Sequence, residues 1–333
     1  FRPTRPMTEQ ITRTFVVVSH THWDREWYLP FEALQVQVDG RLRPLISRVR
    51  VRYVPTVSLV VPWGVGRRQS ATTAVVVGKL FPRDGVEVAQ AELEKLAAAL
   101  PGVKAMPTQL AGPSSIYATM FDRLVVLDDL PDAEKSPLAF APISTDAGKP
   151  GNSLSDWLAL PFGAPDEMVL PGFHTAAERS LRGVAPAAAG QEIFLTVCGL
   201  MSSGARTILL SRWRTGGRSS YDLVREFSQE LPHTSPADAY QRAVFLTAGS
   251  RIEPEAEPRI RRSAQVEEAP QANHPFFWAA YMLVDAGSTV PEAAAGAPPA
   301  VPPAAGPPPA GPPPGAVPPG ALPAVPPPAD GPV

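Results

Sequence analysis

Short apolar runs alternating with amphipathic stretches set the rhythm of this chain. Phe15 to Val18 is a β-rich run that leads into His20, His22 and Asp24. Trp27 to Leu34 reads as a short strand or turn around Pro30, and Val49 to Val54 alternates up to Pro55. Val57 to Val61 continues the apolar pattern, and the polar, glycine-rich Gly64 to Thr73 follows as a loop. Ala74 to Val77, closed by Gly78, has the unbroken hydrophobicity of a strand covered on both faces. Arg123 to Leu127 repeats that pattern and ends in Asp128 and Asp129. Glu167 to Leu170, Ala205 to Ser211 and the aromatic-rich Phe276 to Val284 complete the predicted strands.

Between them lie segments of helical period. Val88 to Leu100 places Ala91, Leu93, Leu96, Ala97 and Leu100 on an apolar face. Glu87, Glu92, Glu94 and Lys95 supply its polar surface, and Pro101 with Gly102 stops it. Ile116 to Phe121 predicts a weaker helix, and Glu192 to Ser202 one that carries Cys198. Ser219 to Leu231 turns Leu223, Val224 and Phe227 inward, and Ala237 to Leu246 forms the last helix. Glu253 to Gln271, charged and punctuated by proline, reads as a surface loop. Strands alternating with helices at this spacing predict an α/β fold: a mostly parallel sheet with helices on both faces. No internal repeat is visible.

Composition changes this picture at one end. From about Val290 onward the residues are almost all Pro, Ala, Gly and Val, with Glu292 and Asp330 the only charges. Such a stretch gathers no core and predicts an extended, disordered tail over 288–333. Its prolines lack accompanying Arg or Lys, which favours a passive spacer over a docking motif. The net charge of −2 gives no electrostatic case for nucleic acid. The basic clusters at Arg41 to Arg52 and Arg259 to Arg262 read as a solvated strand pair and a surface turn. No apolar run reaches the roughly 18 residues of a membrane span, so no membrane partner is expected. The one cysteine, Cys198, excludes an internal disulfide framework and fits a reducing, cytoplasmic setting. The chain opens on Phe1 rather than Met, as a piece of a longer protein would.

The sharpest short pattern is His20 to Tyr28, HTHWDREWY. It resembles the opening metal motif of the family 38 α-mannosidases, and the resemblance implies His22 and Asp24 as zinc ligands. Imidazole and carboxylate are ordinary zinc donors. Two donors do not complete a site, however, and a retaining glycosidase also needs a carboxylate nucleophile with an acid partner. The remaining histidines, His174, His233 and His274, stand in no such context, and nothing after Tyr28 is similar to that family. The motif reads as a loop at a strand end, with no metal and no cofactor.

A longer correspondence runs from Trp27 to Asp285. Tyr28 to Leu34 (YLPFEAL), Tyr53 to Leu59 (YVPTVSL) and Val75 to Pro82 (VVVGKLFP) are followed by the helix from Ala91 to Leu100. Gly204 to Trp213 (GARTILLSRW), Ser235 to Ala239 (SPADA) and His274 to Val284 (HPFFWAAYMLV) come next. In this order these segments resemble the CHAT domain, the caspase-like module often found after tetratricopeptide repeats. The resemblance implies a caspase-like fold over 27–287, with 1–26 as a partly ordered leading segment, an upstream repeat region and protein partners.

It also implies where catalysis should sit. Active members of that family carry a histidine after one strand and a cysteine after the next, so that thiolate and imidazole share the chemistry. Here the strand Arg123 to Leu127 ends in Asp128–Asp129–Leu130, and the following one puts Phe173 at the cysteine position, before His174. Neither side chain can replace the missing dyad. The sequence therefore predicts a non-catalytic caspase-like module that binds or regulates. A rearranged peptidase pairing Cys198 with His174 is the alternative, and the zinc glycosidase is a second one. Cys198, among Phe194, Leu195, Val197 and Leu200, is expected to be a buried structural thiol, and His274 a structural residue before the last strand.

Overall fold

The computed structural model describes residues 14–18, 35–38, 41–59, 70–78, 86–100, 102–105, 118–130, 136–144, 148–161, 163, 165–173, 175, 190–213, 216–252, 257 and 272–287. The chain divides into two units, Phe1–Val290 and Pro291–Val333, and the second lies wholly outside the described residues.

In the first unit an eight-stranded sheet collects β1 (Thr14–Val18), β4 (Arg50–Val54), β5 (Thr73–Val77), β6 (Val103–Ala105), β7 (Arg123–Leu127), β8 (Glu167–Leu170), β9 (Thr207–Ser211) and β10 (Tyr281–Asp285). Their order is β1-β4-β10-β9-β8-β7-β5-β6. The block from β9 to β6 is parallel throughout, as is the block of β1, β4 and β10. The two blocks meet antiparallel at β9 and β10. A separate antiparallel hairpin joins β2 (Gln35–Val38) to β3 (Arg41–Pro44). The basic cluster is thus split. Its first part is in this hairpin, as the strand-pair reading expects, whereas Arg50 and Arg52 enter the main sheet, where Arg52 is buried.

The apolar runs are explained by cover on both faces. Along β7, Leu124 and Val126 point into one core, and Val125 and Leu127 into the other. The first core is closed by α2 (Leu154–Leu158) and α3 (Gln191–Ser202), the second by α1 (Val86–Ala99), α4 (Gly217–Glu230) and α5 (Pro236–Gly249). Hydrophobic side chains therefore alternate between two interiors rather than between interior and water. Close approach of α2 to α3 is set at Gly199, where a Cβ would stand 2.8 Å from Leu154 Cδ2.

Most expected elements appear within a residue or two of their predicted bounds, and the differences have local causes. The aromatic run from Phe276 is not one strand. Pro275 opens a 3₁₀ turn over Pro275–Phe277, capped by His274, whose Nδ1 accepts from the Phe276 amide at 3.2 Å, and β10 begins only at Tyr281. The short α2 has a capping box that the hydrophobic pattern did not single out: Ser153 accepts from the Asp156 amide while Asp156 accepts from that of Ser153. Glu92, expected on the polar surface of α1, is only 3% exposed. Helix α4 crosses above it and supplies Arg218 at 3.3 Å and Arg225 at 3.8 Å, with Lys95 at 2.8 Å from its own helix. The segment around Trp27 to Leu34 lies outside the described residues, as do Ile116 and Tyr117 and most of Glu253 to Gln271. Glu257 belongs to that last stretch, yet it is buried and accepts from the amide and hydroxyl of Ser219 in the first turn of α4, at 2.7 and 2.9 Å.

Candidate functional site

In open sheets of this kind the carboxyl ends of parallel strands are the usual place for chemistry. Here that edge is formed by Gly78 after β5, Asp128 after β7, Pro171 to Phe173 after β8, and Arg212 and Trp213 after β9. Asp128 is half-buried, and one of its carboxylate oxygens accepts from the amide of Asp129 at 2.9 Å. It rises directly over Gly78: a Cβ built there would lie 2.1 Å from Asp128 Cγ, so only glycine fits beside it.

Phe173 is 0% exposed and meets the ring of Phe140 edge-on, with centroids 5.6 Å apart. Its backbone is tied on both sides. Leu130 bridges to it and donates to the Gly172 carbonyl at 2.9 Å, while the Ser211 hydroxyl lies 2.7 Å from the Pro171 carbonyl and 2.8 Å from that of Phe173. Thr175 donates its hydroxyl to the Arg212 carbonyl. The Arg212 side chain, fully buried, donates to the carbonyls of Ala279 and Tyr281 at 3.1 and 2.6 Å and lies 5.0 Å over the Tyr53 ring. This end of the sheet is thus packed with an aromatic pair and cross-linked through main-chain carbonyls. A phenyl ring at the end of β8 offers no thiol nucleophile.

Cys198 is elsewhere. It lies in the last turns of α3 and is half-buried rather than buried, a correction to the sequence expectation. The cause is its position on the helix. Val197 and Leu200 face the core, whereas Cys198 borders a cavity shared with Pro55, Leu59 and Arg206. Arg206 precedes β9, so this cavity is at the amino end of β9, opposite the end at which Phe173 sits. Burial pushes the thiol pKa up from its ordinary value, which lowers the thiolate fraction. His174 lies outside the described residues, as do His20, His22 and Asp24. Among the described residues no group of three or more His, Cys, Asp or Glu side chains is placed to hold a metal ion. No helix among them is long and apolar enough to cross a membrane.

With this arrangement in place, comparison with known proteins bears on the second half of the sheet. Residues 182–286 match the family model of the CHAT domain. The CHAT-like region takes in α3, β9, α4, α5 and β10. Cys198 falls inside it, whereas Asp128 and Phe173 fall before it. No curated protein matches the chain. Among solved structures, the pyridoxal kinase from Staphylococcus aureus in complex with AMP-PCP aligns over 53% of this chain and 87% of its own. The identity is 9% and the TM-score 0.27.

Sequence reasoning did not find Arg206 or Arg212. Arg206 belongs to the stretch that resembles the CHAT strand, but nothing in a linear pattern distinguishes an arginine at a cavity mouth from a solvated one. Arg212 sits at a strand end, where a charged residue ordinarily reads as the start of a surface loop.

Proposed function

We propose that residues 27–287 form one CHAT-like, caspase-fold module without peptidase activity, which acts as a binding or regulatory domain of a larger protein. The observation that carries this reading is Phe173. At the end of β8, where the resembling family has its cysteine, a fully buried ring packs on Phe140. Asp128 at the end of β7, where that family has its histidine, supports it, and so does the match of 182–286 to the framework that follows. Partners on this reading are proteins, with the proline-rich 288–333 acting as a spacer.

The reading is tested by incubating the intact chain with a diverse peptide library, with and without iodoacetamide. No cleavage above buffer is expected in either arm. Hydrolysis that iodoacetamide abolishes would overturn it and bring Cys198 into the chemistry.

A further inference from the structure

The end of the sheet opposite Phe173 holds the feature that the proposed function does not use. Strands β4 and β10 run antiparallel to β9, so the chain leaves β4 at Pro55 and β10 at Ala286 beside the point where β9 begins. The last turns of α3 pass over the same place. Together they enclose a cavity of about 500 Å³, within the range of small-molecule sites.

Its walls are mainly apolar, formed by Pro55, Leu59, Met201 and Ala205, with the Cys198 thiol among them. Arg206 is the only charged residue among the described residues that line it. The backbone of Arg206 is pinned: its amide donates to Asp166 at 2.8 Å and its carbonyl accepts from Ala286 at 3.0 Å. Its side chain is exposed and forms no ion pair or hydrogen bond among the described residues. Three of the last carbonyls of α3 are already engaged. The carbonyls of Gly199, Leu200 and Met201 already accept from the amides of Ser203, Ala205 and Gly204 at 3.0, 3.0 and 3.1 Å.

We propose that this cavity binds a small amphiphilic carboxylic acid, its carboxylate on Arg206 and its hydrocarbon body against Leu59, Met201 and Ala205. One guanidinium presents two parallel donors, which matches one carboxylate. A dianionic phosphate group would call for more positive charge than one arginine supplies. The apolar walls reward a hydrocarbon body in proportion to the area removed from water. This inference stands apart from the inertness of the opposite edge, and either can fail without the other.

Cys198 is the only cysteine in the chain, so its alkylation reports on this cavity alone. The test measures the rate of Cys198 modification by iodoacetamide on the intact protein, by mass spectrometry, with decanoic acid below its micelle concentration. Saturable protection is expected, with the rate falling about fivefold when the acid is at about four times its dissociation constant. Decanol should protect at least about tenfold less well, as should decanoic acid on Arg206→Gln, for loss of the charge-assisted pair. The urea midpoint of Arg206→Gln should equal that of the parent, since the side chain is exposed. Absent protection, faster alkylation on adding the acid, or equal protection by decanol or in a folded Arg206→Gln would each overturn the assignment.

Discussion

Phe173 sits at the junction of three supports: the Phe140 ring, the Leu130 bridge and the Ser211 hydroxyl. Phe173→Ala removes a fully buried ring from a position held by its backbone, where collapse around the void is limited. A loss of about 3–5 kcal/mol is expected in urea unfolding. A loss below about 1 kcal/mol would mean that the ring is not packed as described. At this scale the sequence was partly readable. The apolar runs of β7 and β8 showed Asp128 and Phe173 to follow strands, and the periodicity of α4 placed Leu223, Val224 and Phe227 inward, where all three are buried. Glu92 escaped because helical period reports one helix at a time. Whether a carboxylate on its flank meets water or two arginines depends on a helix more than 100 positions later in the chain.

Helix α4 is held near its first turn by two carboxylates with opposite behaviour, Glu257 on Ser219 and Glu92 on Arg218. Burial raises the Glu257 pKa above its ordinary 4.5, against the lowering hydrogen bonds from Ser219 and with Asp222 adding to the rise. Its contribution to stability is therefore complete below the ordinary carboxylate value and is lost as pH rises through the raised one. Burial also pulls Glu92 upward, but Lys95 and Arg218 outweigh it and hold its pKa below 4.5. Its contribution is present above that value and is lost as pH falls through the lowered one. Urea midpoints taken across acid and neutral pH should show Glu257→Gln gaining on the parent as pH rises, and Glu92→Gln falling behind it. Parallel curves for either variant would contradict that assignment.

Caps make the other element-scale prediction. Ser153 and Ser235 each accept from an amide three residues on, at 3.2 Å, so alanine at either should cost about 1 kcal/mol. An unchanged midpoint for both would show that these caps do not stabilise their helices. Ser235 lay within a readable pattern because a proline and a long apolar face follow it. Ser153 did not, because α2 has only five residues and too short a period to register.

For the whole molecule, alternation of strands and helices carried the fold class, and two-sided burial of β7, β8 and β9 follows from it. What a linear reading did not supply was the position of the last strand. β10 lies between β4 and β9, inside the sheet rather than at its rim, and Arg52 donates to a main-chain carbonyl 233 positions away in β10. Such pairing across most of the chain is slow to form.

The central place of β10 sets the order in which this protein can be made. During synthesis β1 and β4 leave the ribosome before β10, yet among the described strands they join the larger block through β10, the last of these to emerge. Until then each block exposes an unpaired edge, where chains associate with one another. A nascent chain arrested before Tyr281 should therefore need chaperone protection and be digested readily, whereas one extended past Gly287 should resist. Resistance already present in the shorter chain would mean that β4 finds another partner first.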